Sequence, residues 1–249
     1  MKKAVYFGSR EIYQDMIPAA KSLLMNSDVD KIYFLIEDDA FPEPLPEIIE
    51  VMNIRDIVPM YYSSSGPNYG TEWTYIGLIR TALTKVFPDD DKILSIDCDT
   101  IVVQDISELW DIPLDGYYFA AVRETLLSDR QGTLYTNAGV CMMNLKKLRE
   151  DGVDDRMIHV LNIYRFRYVC QDVMNLFCQG AILELPSDYN VCQFTKPTST
   201  MKIRHYAGER VRWRGDDLVL HYKAIPWSGI RSAGDPSLFS LQEAVKGQH

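Results

Sequence analysis

A chain of 249 residues, 47% hydrophobic and 24% charged, is ordinary for a globular fold and long enough for one large α/β domain with a well-buried core. Its net charge of −9 argues against nonspecific nucleic-acid binding, which needs a basic surface, but leaves room for a nucleotide ligand whose charge a metal ion balances. Five cysteines (Cys98, Cys141, Cys170, Cys178 and Cys192) form no CxxC pair and no zinc spacing, and read as reduced, mostly buried thiols of a cytoplasmic protein.

In chain order, KAVYFG (3–8) reads as a first strand, followed by a helix over 12–27 whose apolar residues recur at helical spacing and whose Pro18 marks its start or a kink. KIYFLIED (31–38) is a second, continuously apolar strand. FPEPLPE (41–47) is a Pro-rich loop opening a short helix, DIVPMYY (56–62) a short third strand, and SSSGPNYG (63–70) a loop. A helix is predicted from Trp73 to Phe87, then the strand KILSIDCDTIVV (92–103). Short strands at 117–122 and 139–145 alternate with helices at 146–150, 154–166 and 171–179, and the end of the chain is extended at 201–206 and 217–222, with a loose tail from about 232. This βα alternation predicts an α/β fold, a mostly parallel twisted sheet with helices on both faces, in a single domain over 1–249. The start MKKAVYFG runs straight into a strand, so no signal peptide is expected, and no apolar run reaches the ~20 residues of a membrane span. The expected location is the cytoplasm, with any membrane contact peripheral, at the inner face.

The chain has no GxGxxG, no P-loop and no GxSxG elbow, which sets aside the common nicotinamide, ATPase and hydrolase patterns. Its most informative residues are Asp97 and Asp99 inside KILSIDCDTIVV. Carboxylates rarely sit in such an apolar run unless they are paired or bind a cation. Spacing i, i+2 puts both on one face of an extended chain, where two anionic oxygens suit Mg²⁺ or Mn²⁺. Ligands bind at the carboxyl ends of strands in open α/β sheets. Asp is also common in turns, so a strand-terminal Asp followed by an Asp turn is the structural alternative.

Four features in order resemble glycosyltransferase family 8, which includes bacterial galactosyl- and glucosyltransferases of surface glycans and glycogenin. They are KILSIDCDTIVVQDISELW (92–110), TNAGVCMMNLKKLRE (136–150), CQDVMNLFCQGAILELPSDYN (170–190), and Arg80 seventeen positions before Asp97. The resemblance spans roughly residues 3–215. It implies a GT-A fold, a Mn²⁺ (or Mg²⁺) ion, a nucleotide-sugar donor, usually UDP-linked, and transfer with retention of anomeric configuration. It also implies that Asp97 and Asp99 hold the metal, with Asp97 near the ribose, and that Arg80 lies near the donor sugar and diphosphate. Glu124 would face donor or acceptor sugar, Asn137, Ala138 and Gly139 would line the sugar pocket, and Gln171 would sit beside the anomeric carbon. Phe7, Gly8, Ser9 and Tyr13, after the first strand, are further donor-binding candidates, with Cys98 and Gly208.

Two departures stand out. Ser9-Arg10-Glu11-Ile12-Tyr13 replaces the family's acidic pair before Asn-Tyr, and Cys170-Gln171-Asp172 replaces its Asp-Gln-Asp. Cys170 therefore occupies the position of an acid beside the anomeric centre, and Asp172 reads as a helix-start residue. For the third metal ligand, HYAGERVRW (205–213) and HYKAIPW (221–227) compete; the spacing to Gly208 and Trp213 favours His205 over His221. The reading is a hexosyltransferase using UDP-glucose or UDP-galactose. Its acceptor would be a saccharide, a lipid-linked saccharide or a glycoprotein, with a growing bacterial surface polysaccharide favoured. The rival is a catalytically weak or non-catalytic nucleotide-sugar-binding protein of the same fold, which the Cys170 substitution motivates.

Overall fold

The computed structural model describes residues 1–71 and 75–230. Trp73 and the tail from 232 lie outside the described residues. In order the elements are β1 (Lys3–Phe7), a 3₁₀ turn (Arg10–Ile12), α1 (Tyr13–Asn26), β2 (Lys31–Ile36), β3 (Ile49–Asn53) and α2 (Val58–Tyr61). A 3₁₀ segment (Tyr75–Ala82) then runs into α3 (Leu83–Val86), β4 (Lys92–Ile96), β5 (Thr100–Val102), β6 (Phe119–Arg123), α4 (Thr125–Gln131) and β7 (Thr136–Asn144). The last elements are α5 (Leu145–Glu150), α6 (Val153–Ile163), α7 (Val169–Phe177), β8 (Ile182–Leu185), β9 (Ile203–His205), α8 (Arg210–Gly215) and α9 (Asp217–Ala224).

Seven strands form one sheet in the order β3-β2-β1-β4-β7-β6-β8. β3, β2, β1 and β4 are parallel, β7 is antiparallel to both its neighbours, and β6 and β8 are parallel. The strands read as unbroken apolar runs because both faces are covered. Tyr6, Phe34, Leu94, Ile96 and Met142 point into a core closed by α1, and Val5, Leu35, Ile93 and Cys141 into one closed by the 75–86 segment and α5–α7. No helix among the described residues is long and apolar enough to cross a membrane.

The chain leaves β1 toward β2 and β3 on one side and returns to β4 on the other. Strand order thus reverses between β1 and β4, the place at whose carboxyl ends open α/β sheets bind ligands. Because β7 runs antiparallel, its first residues lie at that same edge, and the Asp97 amide donates to the Gly139 carbonyl at 2.8 Å.

The structure differs from the sequence expectations at several places. Residues 56–62 are not a strand; Pro59 sits in the first turn of α2, where its missing N–H is harmless. The third strand is instead IEVMN at 49–53, an edge strand with only Ile49 buried, so its pattern is weak. The run 92–103 breaks into β4 and β5 at the Asp97–Asp99 turn, where Thr100 Oγ1 donates to the Asp97 carbonyl at 2.7 Å. Residues 217–222 form helix α9, capped by the Asp216 side chain; its buried Val219 and Tyr222 are spaced i, i+3. Pro18 lies inside α1, which begins five residues before it.

Candidate active site

Asp97 follows β4 directly, Asp99 precedes β5, and His205 closes β9. The short β5–β9 pairing sets Thr100 opposite His205, which carries the imidazole back over the Asp turn. His205 Nε2 lies 3.3 Å from Asp99 Oδ1 and 3.6 Å from Asp97 Oδ2. One ligand atom from each of the three falls within 4.8 Å of the others. Two carboxylate oxygens and one imidazole nitrogen are a donor set that fits a divalent ion such as Mn²⁺. Burial alone would lower the His205 pKa, but the Asp99 carboxylate, the Cys192 thiol and Asp97 raise it to about 10, the mark of a strongly anionic pocket. The ring lies close against Gly139: a Cβ there would stand 2.1 Å from His205 Cε1. His221 is exposed on α9 against the Tyr222 ring and belongs to no such cluster among the described residues.

Arg80 is 3% exposed. Its Nη2 donates to Asp97 Oδ1 and its Nε to Ser95 Oγ at 3.1 Å, while its guanidinium stacks 4.7 Å above the Phe7 ring. Burial works against its charge, but Asp97 outweighs it and holds the guanidinium protonated. A fixed cation thus stands beside the carboxylate pair. Cys170 sits close enough to Arg80 to interact with it, yet burial raises its thiol pKa on balance, so the thiol stays neutral.

Beyond Gly139 a hydrogen-bonded polar wall continues. Asn137 Nδ2 and Gln171 Nε2 both donate to Glu124 Oε2, at 3.3 and 3.0 Å. Gln171 Oε1 accepts from the Ala138 amide at 2.9 Å. Burial raises the Glu124 pKa against the lowering effect of these two amides. Asp172 accepts from Tyr135 Oη (2.6 Å) and from the Tyr168 amide (2.8 Å) in the first turn of α7. Asp97, Asp99, His205, Arg80, Gly139, Asn137, Ala138, Gln171, Glu124 and Cys170 are therefore linked by contacts into one cluster.

The remaining candidates have these contacts. Tyr13 is buried, its hydroxyl bonded to Asp38 and the Glu37 amide and its ring packed on Phe41, so it presents no free face for stacking. Gly8 is required for packing, since a Cβ would meet Ile12 at 2.7 Å. Ser9 precedes the 3₁₀ turn and Arg10 forks onto Asp38. The Cys98 thiol turns inward to the Phe7 carbonyl at 3.3 Å. Gly208 adopts φ +75 just after β9, beside Gln193. Sequence reasoning missed Asn190, fully buried and bonded to both His205 and Asn137; its only signal was the last letter of the PSDYN motif.

A seven-stranded, mostly parallel sheet carries an Asp-Asp-His cluster at its strand-order reversal, and comparison with known proteins gives the class. The family model "Glycosyl transferase family 8" matches residues 13–223, so the chain belongs to that family and is a glycosyltransferase. A Haemophilus influenzae protein named as a glycosyltransferase is 25% identical over 238 residues, 84% of this chain and 72% of its own. The lipopolysaccharide 1,2-glucosyltransferase of Escherichia coli K12 is 29% identical over 153 residues, 55% of this chain and 44% of its own length. Galactosyltransferase LgtC, solved with donor and acceptor sugar analogues, superposes with a TM-score of 0.68 at 18% identity, over 92% of this chain and 100% of that one. The fold is that of GT-A glycosyltransferases, which commonly use a divalent metal, and family membership implies a nucleotide-sugar donor and a saccharide acceptor.

Proposed function

We propose that this protein transfers a hexose from UDP-glucose or UDP-galactose to a saccharide, lipid-linked saccharide or glycoprotein acceptor, with retention, and with Mn²⁺ (or Mg²⁺) held by Asp97, Asp99 and His205. A growing bacterial surface polysaccharide is the favoured acceptor. The observation that carries this reading is the convergence of those three side chains, drawn from distant parts of the chain, on a point beside the buried Arg80. When bound, such an ion acts as a Lewis acid on the departing diphosphate. Arg80 adds a fixed positive charge for phosphate oxygens and keeps Asp97 oriented. Asn137, Gln171 and Glu124 form a polar wall suited to sugar hydroxyls, and their mutual hydrogen bonds hold it rigid before substrate arrives.

The test is a thermal-shift screen of UDP-, GDP- and CDP-sugars with and without Mn²⁺, because a ligand of the native state stabilises it by mass action. Stabilisation by UDP-hexoses that needs Mn²⁺ and vanishes in Asp97→Asn and Asp99→Asn is expected. UDP affinity unchanged in both variants, measured by calorimetry with metal present, would sink the metal-site reading.

The second reading, a catalytically weak sugar-nucleotide-binding protein, is favoured by one observation: the neutral Cys170 thiol at the position where the family resemblance implies an acid.

A further inference from the structure

The backbone N–H of Gly139 can only donate, and this fixes the orientation of a whole hydrogen-bond chain. It donates to Asn137 Oδ1 at 3.0 Å, so that atom is an acceptor. The same Oδ1 lies 2.9 Å from Asn190, which must therefore present its Nδ2 and turn its own Oδ1 away. Asn190 Oδ1 is 2.8 Å from His205 Nδ1. An amide oxygen only accepts, so the Nδ1 must carry a proton. The nitrogen left facing Asp97 and Asp99 is Nε2. At its other end, Asn137 is left with its Nδ2 toward Glu124.

We infer that Asn190 is a positioning residue: it locks His205 as the Nδ1–H form, with Nε2 presented to a divalent cation, and through Asn137 it couples that cation site to the sugar-facing wall. The inference rests on the proposed metal site. Asn190 is fully buried, so its amide has no solvent partner to turn to, and each of its side-chain atoms is already used. A histidine ligand whose second nitrogen is held in this way keeps its ring orientation, and loss of such a partner typically weakens metal affinity by about ten- to a hundredfold.

Nitrogen-15 NMR of wild-type protein loaded with Zn²⁺, a diamagnetic stand-in for Mn²⁺, reads the ring directly, with His205→Gln assigning the signal. Metal on Nε2 and a proton on Nδ1 are expected; metal on Nδ1 would overturn the inference. Calorimetry with Mn²⁺ alone should show Asn190→Ala weaker by about ten- to a hundredfold. Asn190→Asp keeps an acceptor for Nδ1–H but has no donor for Asn137. It should retain Mn²⁺ affinity while losing Mn²⁺-dependent UDP-glucose and UDP-galactose binding. A folded Asn190→Ala with wild-type Mn²⁺ affinity would overturn the assignment. Wild-type protein that takes up no divalent cation fails the metal reading instead, and in the metal-free protein a His205 Nδ1–H resonance that Asn190→Ala leaves unchanged would overturn the positioning role.

Discussion

Gly139 is the residue on which the His205 ring lies, and the space for a side chain there is already filled. Gly139→Ala should drive the imidazole off the Asp97–Asp99 pair. The expected result is at least a tenfold loss of Mn²⁺ affinity, about 1.4 kcal/mol, with overpacking costing roughly 1–3 kcal/mol of stability. Calorimetry and denaturant unfolding read the two effects, and wild-type values in both would show that the ring has room elsewhere. Cys170 poses the opposite question, since a missing charge is at issue. Positive charge develops on the sugar in an oxocarbenium-like transition state, and a neutral thiol stabilises it little. Cys170→Asp should therefore raise donor hydrolysis or transfer with UDP-glucose or UDP-galactose. Fast wild-type turnover that the substitution destroys would show that another group has that role.

At the scale of elements, α7 enters under backbone strain. Val169, β-branched and 1% exposed, adopts φ +38, the left-handed region that glycine tolerates and valine does not. Such a conformation costs about 1–3 kcal/mol and persists where surrounding contacts demand it. Here Asp172 clamps the Tyr168 amide and Tyr135, and Gln171 is tied to Ala138 and Glu124, so the strained turn delivers Gln171 to the polar wall. Val169→Gly relieves the strain that Val169→Ala retains, while both remove the buried methyls. Thermal unfolding should thus find Val169→Gly at least as stable as Val169→Ala, the reverse of the usual order in helices, with kcat lowered in both variants. A glycine variant clearly less stable than the alanine one would remove strain from the account.

For the molecule as a whole, a cation at Asp97, Asp99 and His205 would tie the end of the central sheet to the small β5–β9 sheet. Binding to the native state alone at a hundredfold excess over Kd adds about 2.7 kcal/mol. For a chain of this size that corresponds to a rise in Tm on the order of 5–10 °C. Differential scanning calorimetry should show the rise with Mn²⁺, its reversal by EDTA, and its absence in Asp99→Asn. Identical melting with Mn²⁺ and with EDTA would argue that no cation is held.

Family membership, the apolar strands β1, β2 and β4, and the paired aspartates were legible in the amino-acid sequence, because each is written in local spacing: continuous apolar runs, an i, i+2 acid pair, motifs in fixed order. The third strand was hidden because IEVMN at an open edge buries too little to leave a pattern, and α9 was misread because DLVLHY satisfies two periods at once. Tertiary structure decided between the two histidines. Spacing favoured His205 over His221 without excluding either, whereas the pairing of Thr100 with His205 across β5 and β9 brings one ring to the carboxylates, and helix α9 leaves the other exposed. Asn190 carried little signal for the same reason. A buried amide acquires its role from partners far away in the chain, and those contacts are set by strand register and loop closure, which local sequence periodicity does not encode.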